Sequence, residues 1–350
     1  MTSRNEILKT QAPLVVTLKA VAKRVGLTPG TVSAVLNNSY ASASVPERTR
    51  KRVLDAAREL NYKPNFLARS LRVKRTYTIG VIAQEIGDIY GAMVISGVEQ
   101  YLRRQNYFFL TVIHRHDPQL LQSYSQLLVS RGAEGIIAVA TSITDPPSVP
   151  TIAIAGHKPV DGVTNIILDH RHAARMALKH LAELGHRELA LMKGPPTSAD
   201  TDARWEGICE AADALKNTIR TEFVVEAHTD TSPQPGYEAT KELLKKTRGF
   251  TALFAFNDLA AIGAIRAIDE AGLHVPADIS VIGFDDIPNA AYSRPSITTV
   301  RQPLQKMGEI AARTILEQVE KRSEYVAEIL IEPELVVRES TAKARHRAKD

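Results

Sequence analysis

A single cysteine, Cys209, stands among 350 residues. That excludes an intramolecular disulfide framework and fits a reducing compartment; the plainest role for such a residue is a small buried apolar side chain. No apolar run is long enough to span a bilayer. The opening stretch MTSRNEILKTQAPLVV has neither the apolar core nor the small-residue cleavage site of an export signal. The expectation is a cytoplasmic protein without a membrane partner. Enzyme signatures are also missing: there is no GxGxxG after a strand, no phosphate-binding GxxxxGK followed by Ser or Thr, no HExxH and no GxSxG. The runs His114-Arg115-His116 and His170-Arg171-His172 have no further ligand at useful spacing, and i,i+2 residues on a helix face apart. Asp285-Asp286 has no nucleophile beside it. No catalytic residue, metal or cofactor is therefore expected.

The chain does have a strong charge asymmetry. Residues 1–75 carry 15 Lys and Arg against 4 Asp and Glu, whereas the other 275 carry 29 against 35. A basic head on a mildly acidic body is the footprint of nucleic-acid binding confined to one end.

The periodicity of that basic end is helical. Thr17 reads as an N-cap, followed by Leu18, Val21, Ala22 and Val25 at helical spacing. Gly26 supplies a left-handed stop, and Thr28-Pro29 restarts a helix as N-cap and first residue. Val32, Val35 and Leu36 form the second buried stripe. Two short helices joined by a Gly turn make a helix-turn-helix, whose second helix enters the DNA major groove. A third helix is expected from Pro46 to Asn61, with Arg48, Arg50, Lys51 and Arg52 crowded into its first turns. Cations are misplaced there by the macrodipole argument, so phosphate is their expected partner.

From Tyr77 the pattern changes to alternating short β-branched runs and amphipathic helices. Strands are expected at Thr78–Ala83, Phe108–Ile113, Gly135–Ala140, Thr151–Ala155, Asn165–Leu168, Glu188–Met192, Glu222–Glu226, Ala252–Phe256 and Ile279–Phe284. Helices fall between them, and Arg301–Val319 is read as a returning helix. Such alternation means α/β architecture, with parallel sheets covered by helices in a two-lobed body. Ligands in such sheets bind beyond the carboxyl ends of the strands. Tyr90, Asn257, Asp258 and Asp285 fall there, and Arg204 lies just inside a following helix.

The stretches TLKAVAKRVGLTPGTVSAVLN, TRKRVLDAARELNYKPNFLARSLR, LGHRELALMKG, FAFNDLAAIGAIRAIDEAGLHVPADISVIGFDD and YSRPSITTVRQP, in this order, resemble the LacI/GalR type of bacterial transcriptional regulator over nearly the whole chain. The resemblance implies a helix-turn-helix head on a periplasmic-binding-protein-like body whose chain crosses between lobes three times. It implies an arm at 1–16, a head at 17–63, a hinge helix and linker at 64–76, a sensing and dimerising body at 77–339 and a basic disordered tail at 340–350. DNA contacts are then expected from Thr17, Thr28, Pro29, Gly30, Thr31, Ser33, Ala34, Asn37, Arg48 and Arg50, and from Asn65, Ala68 and Leu71 of the hinge. Leu71, between Arg69 and Arg72, matches the family's minor-groove wedge. The effector would be held by Tyr90, Arg204, Phe254, Asn257 and Asp285, a set suited to a sugar, sugar phosphate or nucleobase.

One departure stands in the reading helix. Ala34 occupies a place where the family often has Arg, and Pro29 and Gly30 offer no side-chain donor to a base edge. The expected function is that of a homodimeric repressor of an operator duplex, controlled by a small metabolite. A solute-binding protein on the same two-lobed body is the rival reading, and the missing export signal and the basic head speak against it. The tail has no leucine heptads, so assembly is expected to stop at the dimer.

Overall fold

The computed structural model describes residues 16–37, 42–63, 70–71, 73–85, 87–143, 148–156, 158–198, 200–215, 219–228, 231–323 and 325–345. The chain divides into two compact units, 1–75 and 76–350.

The first unit is a small helical head of α1 (Leu18–Val25), α2 (Pro29–Leu36) and α3 (Glu47–Glu59). The expected caps form: the Thr17 hydroxyl accepts from the Ala20 N–H, and the Thr28 hydroxyl accepts from the Thr31 N–H. Gly26 closes α1 in the left-handed conformation at φ +67°. Five valines and three alanines from the three helices fill the core. Arg52 is drawn inward, donating from Nη2 to the Val25 carbonyl at 3.0 Å and so satisfying the end of α1. Of the basic cluster on α3, that member is structural.

The second unit contains two six-stranded sheets. The first has the order β11-β5-β4-β3-β1-β2, from β1 (Thr78–Ala83), β2 (Phe108–Ile113), β3 (Gly135–Val139), β4 (Thr151–Ile154), β5 (Val163–Leu168) and β11 (Glu328–Ile331). The second has the order β12-β10-β9-β8-β6-β7, from β6 (Leu189–Lys193), β7 (Val224–Glu226), β8 (Ala252–Phe254), β9 (Ser280–Asp285), β10 (Thr298–Arg301) and β12 (Glu334–Val336). All pairings are parallel except β10 with β12. Parallel strands buried on both faces need helical cover. It comes from α4 (Ile89–Arg104), α5 (Pro118–Ser130) and α11 (Leu304–Val319) on the first sheet. The second sheet is covered by α6 (His170–Glu183), α7 (Asp200–Ala214), α8 (Gln234–Lys246) and α9 (Asp258–Glu270), with the short α10 (Pro288–Tyr292) beyond β9. Helices α4 and α11 cross with backbones touching: a Cβ on Gly97 would lie 2.0 Å from the Gln305 carbonyl oxygen, and one on Gly308 2.0 Å from that of Val94.

The chain passes between lobes three times, at Asp169 from β5 to α6, at Gln302-Pro303 from β10 to α11, and at Glu332-Pro333 from β11 to β12. Two expectations need correction here. Arg301 ends strand β10 rather than opening a helix, because its register partners Asp285 and Glu334 draw it into the second sheet. The tail is ordered as far as residue 345. Ser340 is fully buried, donating to the Val281 carbonyl and accepting from the Thr298 N–H, and the Ala344 N–H bonds the Leu184 carbonyl. Polar hydrogen bonds hold this strap, so it has no apolar period to betray it. Residues 346–350 lie outside the described residues.

Candidate functional site: a basic reading head and a buried interlobe cleft

On the head, Thr17, Thr28, Pro29, Gly30, Asn37 and Arg48 are exposed, while Thr31, Ala34 and Arg50 are half-buried. Ser33 is buried, and the Asn37 amide nitrogen donates both to its carbonyl (2.7 Å) and to its hydroxyl (3.1 Å). Asn37 is the C-cap of α2, so those bonds sit at the helix end. Leu71 is 82% exposed, an apolar side chain that nothing among the described residues covers. Asn65 and Ala68 lie outside the described residues, as do most of the arm and hinge.

In the body, Tyr90, Arg204, Asn257 and Asp285 come together in a narrow cleft between the lobes, whose water-accessible interior is about 40 Å³. The carboxyl ends of both sheets furnish its walls. Ala140, Ala155 and Asp285, at or just past the ends of β3, β4 and β9, all have positive φ (+48°, +56° and +103°), so each strand turns sharply as it reaches the cleft. Asp88 caps α4 by accepting from the Tyr90 and Gly91 N–H groups, which sets Tyr90 at the rim. Asn257 caps α9 through the Ala260 N–H.

Arg204 is the centre of the site. It is 3% exposed; its guanidinium lies 3.6 Å from the Phe284 ring centroid and 4.4 Å from that of Phe256. Nη1 donates to the Phe256 carbonyl, and Nη2 donates to Asp200 at 3.3 Å. Asp200 in turn pairs with His170 at 3.2 Å, next to the first crossing. Nε of Arg204 and the hydroxyl of Tyr90 are buried without a hydrogen-bond partner. Both residues line the cleft, and buried donors of this kind call for an acceptor.

Asp285 accepts from Gln302 Nε2 at 2.6 Å, tying the site to the second crossing. Burial pushes its carboxyl well above the ordinary range, with Asp258 and Asp200 adding to the shift and Arg204 and Gln302 opposing it. Burial likewise raises the Tyr90 phenol, with Asp200 and Asp285 next. A wider chamber of about 550 Å³ continues outward past Gln84 and Ser198. There Gln84 reaches His116 at 2.6 Å, and the His116 N–H donates to His114 Nδ1 at 3.2 Å. His114 is held below the usual histidine range by burial and by His116.

Phe254 is not where it was expected. It is 1% exposed and stacked on Phe284 within the core, with centroids 6.4 Å apart, and Phe256 lines the cleft instead. Strand β8 ends at Phe254, and the chain has left the sheet two residues later. Asp200 and Phe256 carry no signal in the sequence beyond their nearness to strand ends. Asp169, His172 and Glu332 bring their ligand atoms within 4.8 Å of one another. Asp169 caps α6 and His172 pairs with Glu332 at 3.1 Å, so this cluster ties the first crossing to the third.

The fold and cleft, with the basic three-helix head, define a DNA-binding transcription regulator whose body senses a small molecule. Comparison with known proteins agrees. Residues 17–65 match the family described as bacterial regulatory proteins, lacI family, and residues 178–341 match a periplasmic binding protein-like domain. The chain is 33% identical to the HTH-type transcriptional repressor PurR of Proteus mirabilis over 93% of its length and 97% of the relative's, and 34% identical to PurR of Haemophilus influenzae. It is also similar to the lac repressor dimer bound to operator and the anti-inducer ONPF (TM-score 0.84, 27% identity, 93% of this chain and 99% of that one). A regulator named CelR, in complex with cellobiose, superimposes with a TM-score of 0.70 at 28% identity over 93% of this chain and 99% of that one. The chain belongs to the LacI family.

Proposed function

We propose that the protein is a cytoplasmic, non-enzymatic repressor that binds an operator as a homodimer and is switched by a small uncharged metabolite in the interlobe cleft. The observation that carries this reading is the pair of unsatisfied donors, Arg204 Nε and the Tyr90 hydroxyl, in a cleft of the chain that bears the basic head. Asp88, Asp200 and Asp285 surround a single guanidinium there. Even with the Asp285 carboxyl shifted towards its neutral form, Asp88 and Asp200 outnumber that guanidinium, which disfavours a phosphate or carboxylate. A sugar or nucleobase, offering acceptors to Arg204 and Tyr90 and a donor to Asp285, suits the cleft better, which narrows the expected class by removing the sugar phosphate. CelR carries cellobiose, and a LacI-family regulator of Enterococcus faecium, 28% identical with a TM-score of 0.67 over 77% of this chain and 100% of that one, carries ribose.

The proposed reading head is 17–63 and the hinge 64–76, and the body extends past 339 to include the strap at 340–345. Leu71 is the proposed minor-groove wedge, with Asn65 and Ala68 beside it. Large apolar side chains exposed on the body, Phe108 (62%) and Tyr292 (89%), supply surface for the dimer. With no donors on Pro29 and Gly30, the reading helix leaves more of the discrimination to DNA shape and the hinge.

The test pairs two titrations. Fluorescence anisotropy with a palindromic duplex selected from random sites should show affinity falling steeply with salt, by roughly 0.9 log unit per log unit for each phosphate neutralised. Calorimetry with D-ribose, cellobiose and the five nucleobases should find a ligand that alters operator affinity. Leu71→Ala should keep that ligand and lose tight operator binding. A flat salt response, or normal operator binding by Leu71→Ala, would overturn the reading of the head or of the wedge respectively.

A further inference from the structure

Asn257 and Asp258 open α9 side by side, and either could cap it. The cap is Asn257, whose Oδ1 accepts from the Ala260 N–H at 2.8 Å. Asp258, fully buried, turns the other way. Its Oδ2 accepts from the Ile287 N–H at 2.9 Å, and its Oδ1 meets the Thr299 hydroxyl of β10 at 2.6 Å. Gly283 of β9 passes so near that a Cβ there would sit 2.2 Å from Oδ1. These partners bracket one short turn, with Gly283 before it and Ile287 at its end. Within it, Asp285 and Asp286 are consecutive non-glycine residues at φ +103° and +56°. Side chains persist in such conformations only when their surroundings over-determine them. Asp285 and Ile287 line the cleft, and Asp258 does not.

We infer that Asp258 is a positioning residue of the effector cleft: through the Ile287 N–H and the Thr299 hydroxyl it holds the Asp285–Ile287 turn in the shape that presents Asp285 to the ligand. The inference rests on the cleft being the effector site. Asp286 is secured separately, by Arg301 Nε at 2.7 Å and Arg338 Nη2 at 2.6 Å, which leaves Asp258 as the anchor of the turn's far end.

The carboxyl also gives the anchor a signature. Burial pushes it up to about 7; Thr299, Ile287 and Arg338 oppose the shift, and Asp286 adds to it. Asp285 faces it as well. Protonated, Asp258 can donate from Oδ1 to Thr299 while Oδ2 still accepts from Ile287, so the turn is kept. Ionised, it sets a further negative charge beside Asp285 and Asp286. Because the folded value lies above the ordinary aspartate value of about 3.9, the native state binds the extra proton between them. The contribution is full below that lower value and is lost as pH rises to about 7.

The experiment uses the full-length protein, first with no ligand added. The Ile287 amide, followed by NMR, should titrate near pH 7 in the wild type and stop doing so in Asp258→Asn. The thermal midpoint of the wild type, relative to Asp258→Asn, should fall as pH rises across the same window. A merely structural carboxyl that stays ionised would give neither result, and an unchanged Ile287 titration in Asp258→Asn overturns the assignment. The second arm measures affinity for whichever of D-ribose, cellobiose and the nucleobases binds the wild type. Asp258→Asn can accept from Ile287 and donate to Thr299, and should bind within about threefold of wild type. Asp258→Ala leaves both groups without a partner and should bind at least about tenfold more weakly. Wild-type affinity in a folded Asp258→Ala refutes the positioning role. If no probe binds even the wild type, the reading of the cleft fails, while the Ile287 titration still decides what Asp258 does. If Asp258→Ala does not fold, Asp258→Asn and that titration decide it.

Discussion

In the head, Thr28, Pro29 and Gly30, all expected to touch DNA, are exposed outside a small core of Val and Ala side chains, and of the described residues expected there only Ser33 is buried. In the body the order is reversed. Arg204, Asn257 and Asp285 are each less than a tenth exposed, and Arg204 lies against two phenylalanine rings, so each side chain proposed to hold the effector also has to satisfy the protein around it. A reading surface of the first kind can change its target with little cost to stability. A sensing cleft of the second kind cannot, because every substitution disturbs a buried network.

Arg204→Ala should bring out that contrast most strongly. It removes the guanidinium proposed to hold the effector and leaves Asp200 buried without that partner. We expect effector affinity to fall at least about a hundredfold, or ~2.7 kcal/mol, while operator affinity stays within about tenfold. Calorimetry and anisotropy on the same preparation decide the matter; equal losses in both would mean that the head and the cleft are not separable.

The two phenylalanines near the end of β8 sharpen the comparison further. Phe254→Ala empties a site in the core and should cost ~3–5 kcal/mol of stability, read by denaturant unfolding, with little change in effector affinity among molecules still folded. Phe256→Ala should instead weaken the effector by about tenfold, since its ring borders both the cleft and the Arg204 guanidinium. If Phe254→Ala proved the binding-defective variant, the expected placement would stand against the observed one.

The smallest effect belongs to the head. Thr28→Ala deletes the cap of α2 and should lower stability of the head by ~1 kcal/mol, measured by thermal melting of the helical signal. The body should be untouched.

How much of this was legible in the sequence follows the same division. The helices of the head announce themselves through Thr17, Gly26, Thr28 and Pro29, because caps act locally. Strands β1 to β9 show as β-branched runs. Strands β10, β11 and β12 do not: they are three or four residues long and exist because of partners far away in sequence. In the cleft, Arg204, Tyr90, Asn257 and Asp285 follow from strand ends and family resemblance. Choosing Phe256 over Phe254 needs the residue at which β8 stops, and the two are separated by a period-two step that alternation cannot resolve. Asn257 and Asp258 posed the same difficulty, since both side chains can cap a helix.

The ordered strap beyond the last strand bears on how the protein can be handled as an engineering part. Ser340 threads between β9 and β10, Ala342 bonds His186 and Ser280, and Arg345 reaches Asp278. An affinity tag or a fused fluorescent reporter joined at 339 would replace this lacing with foreign sequence and expose the edges it seals. The same cargo attached after 345 leaves the lacing whole.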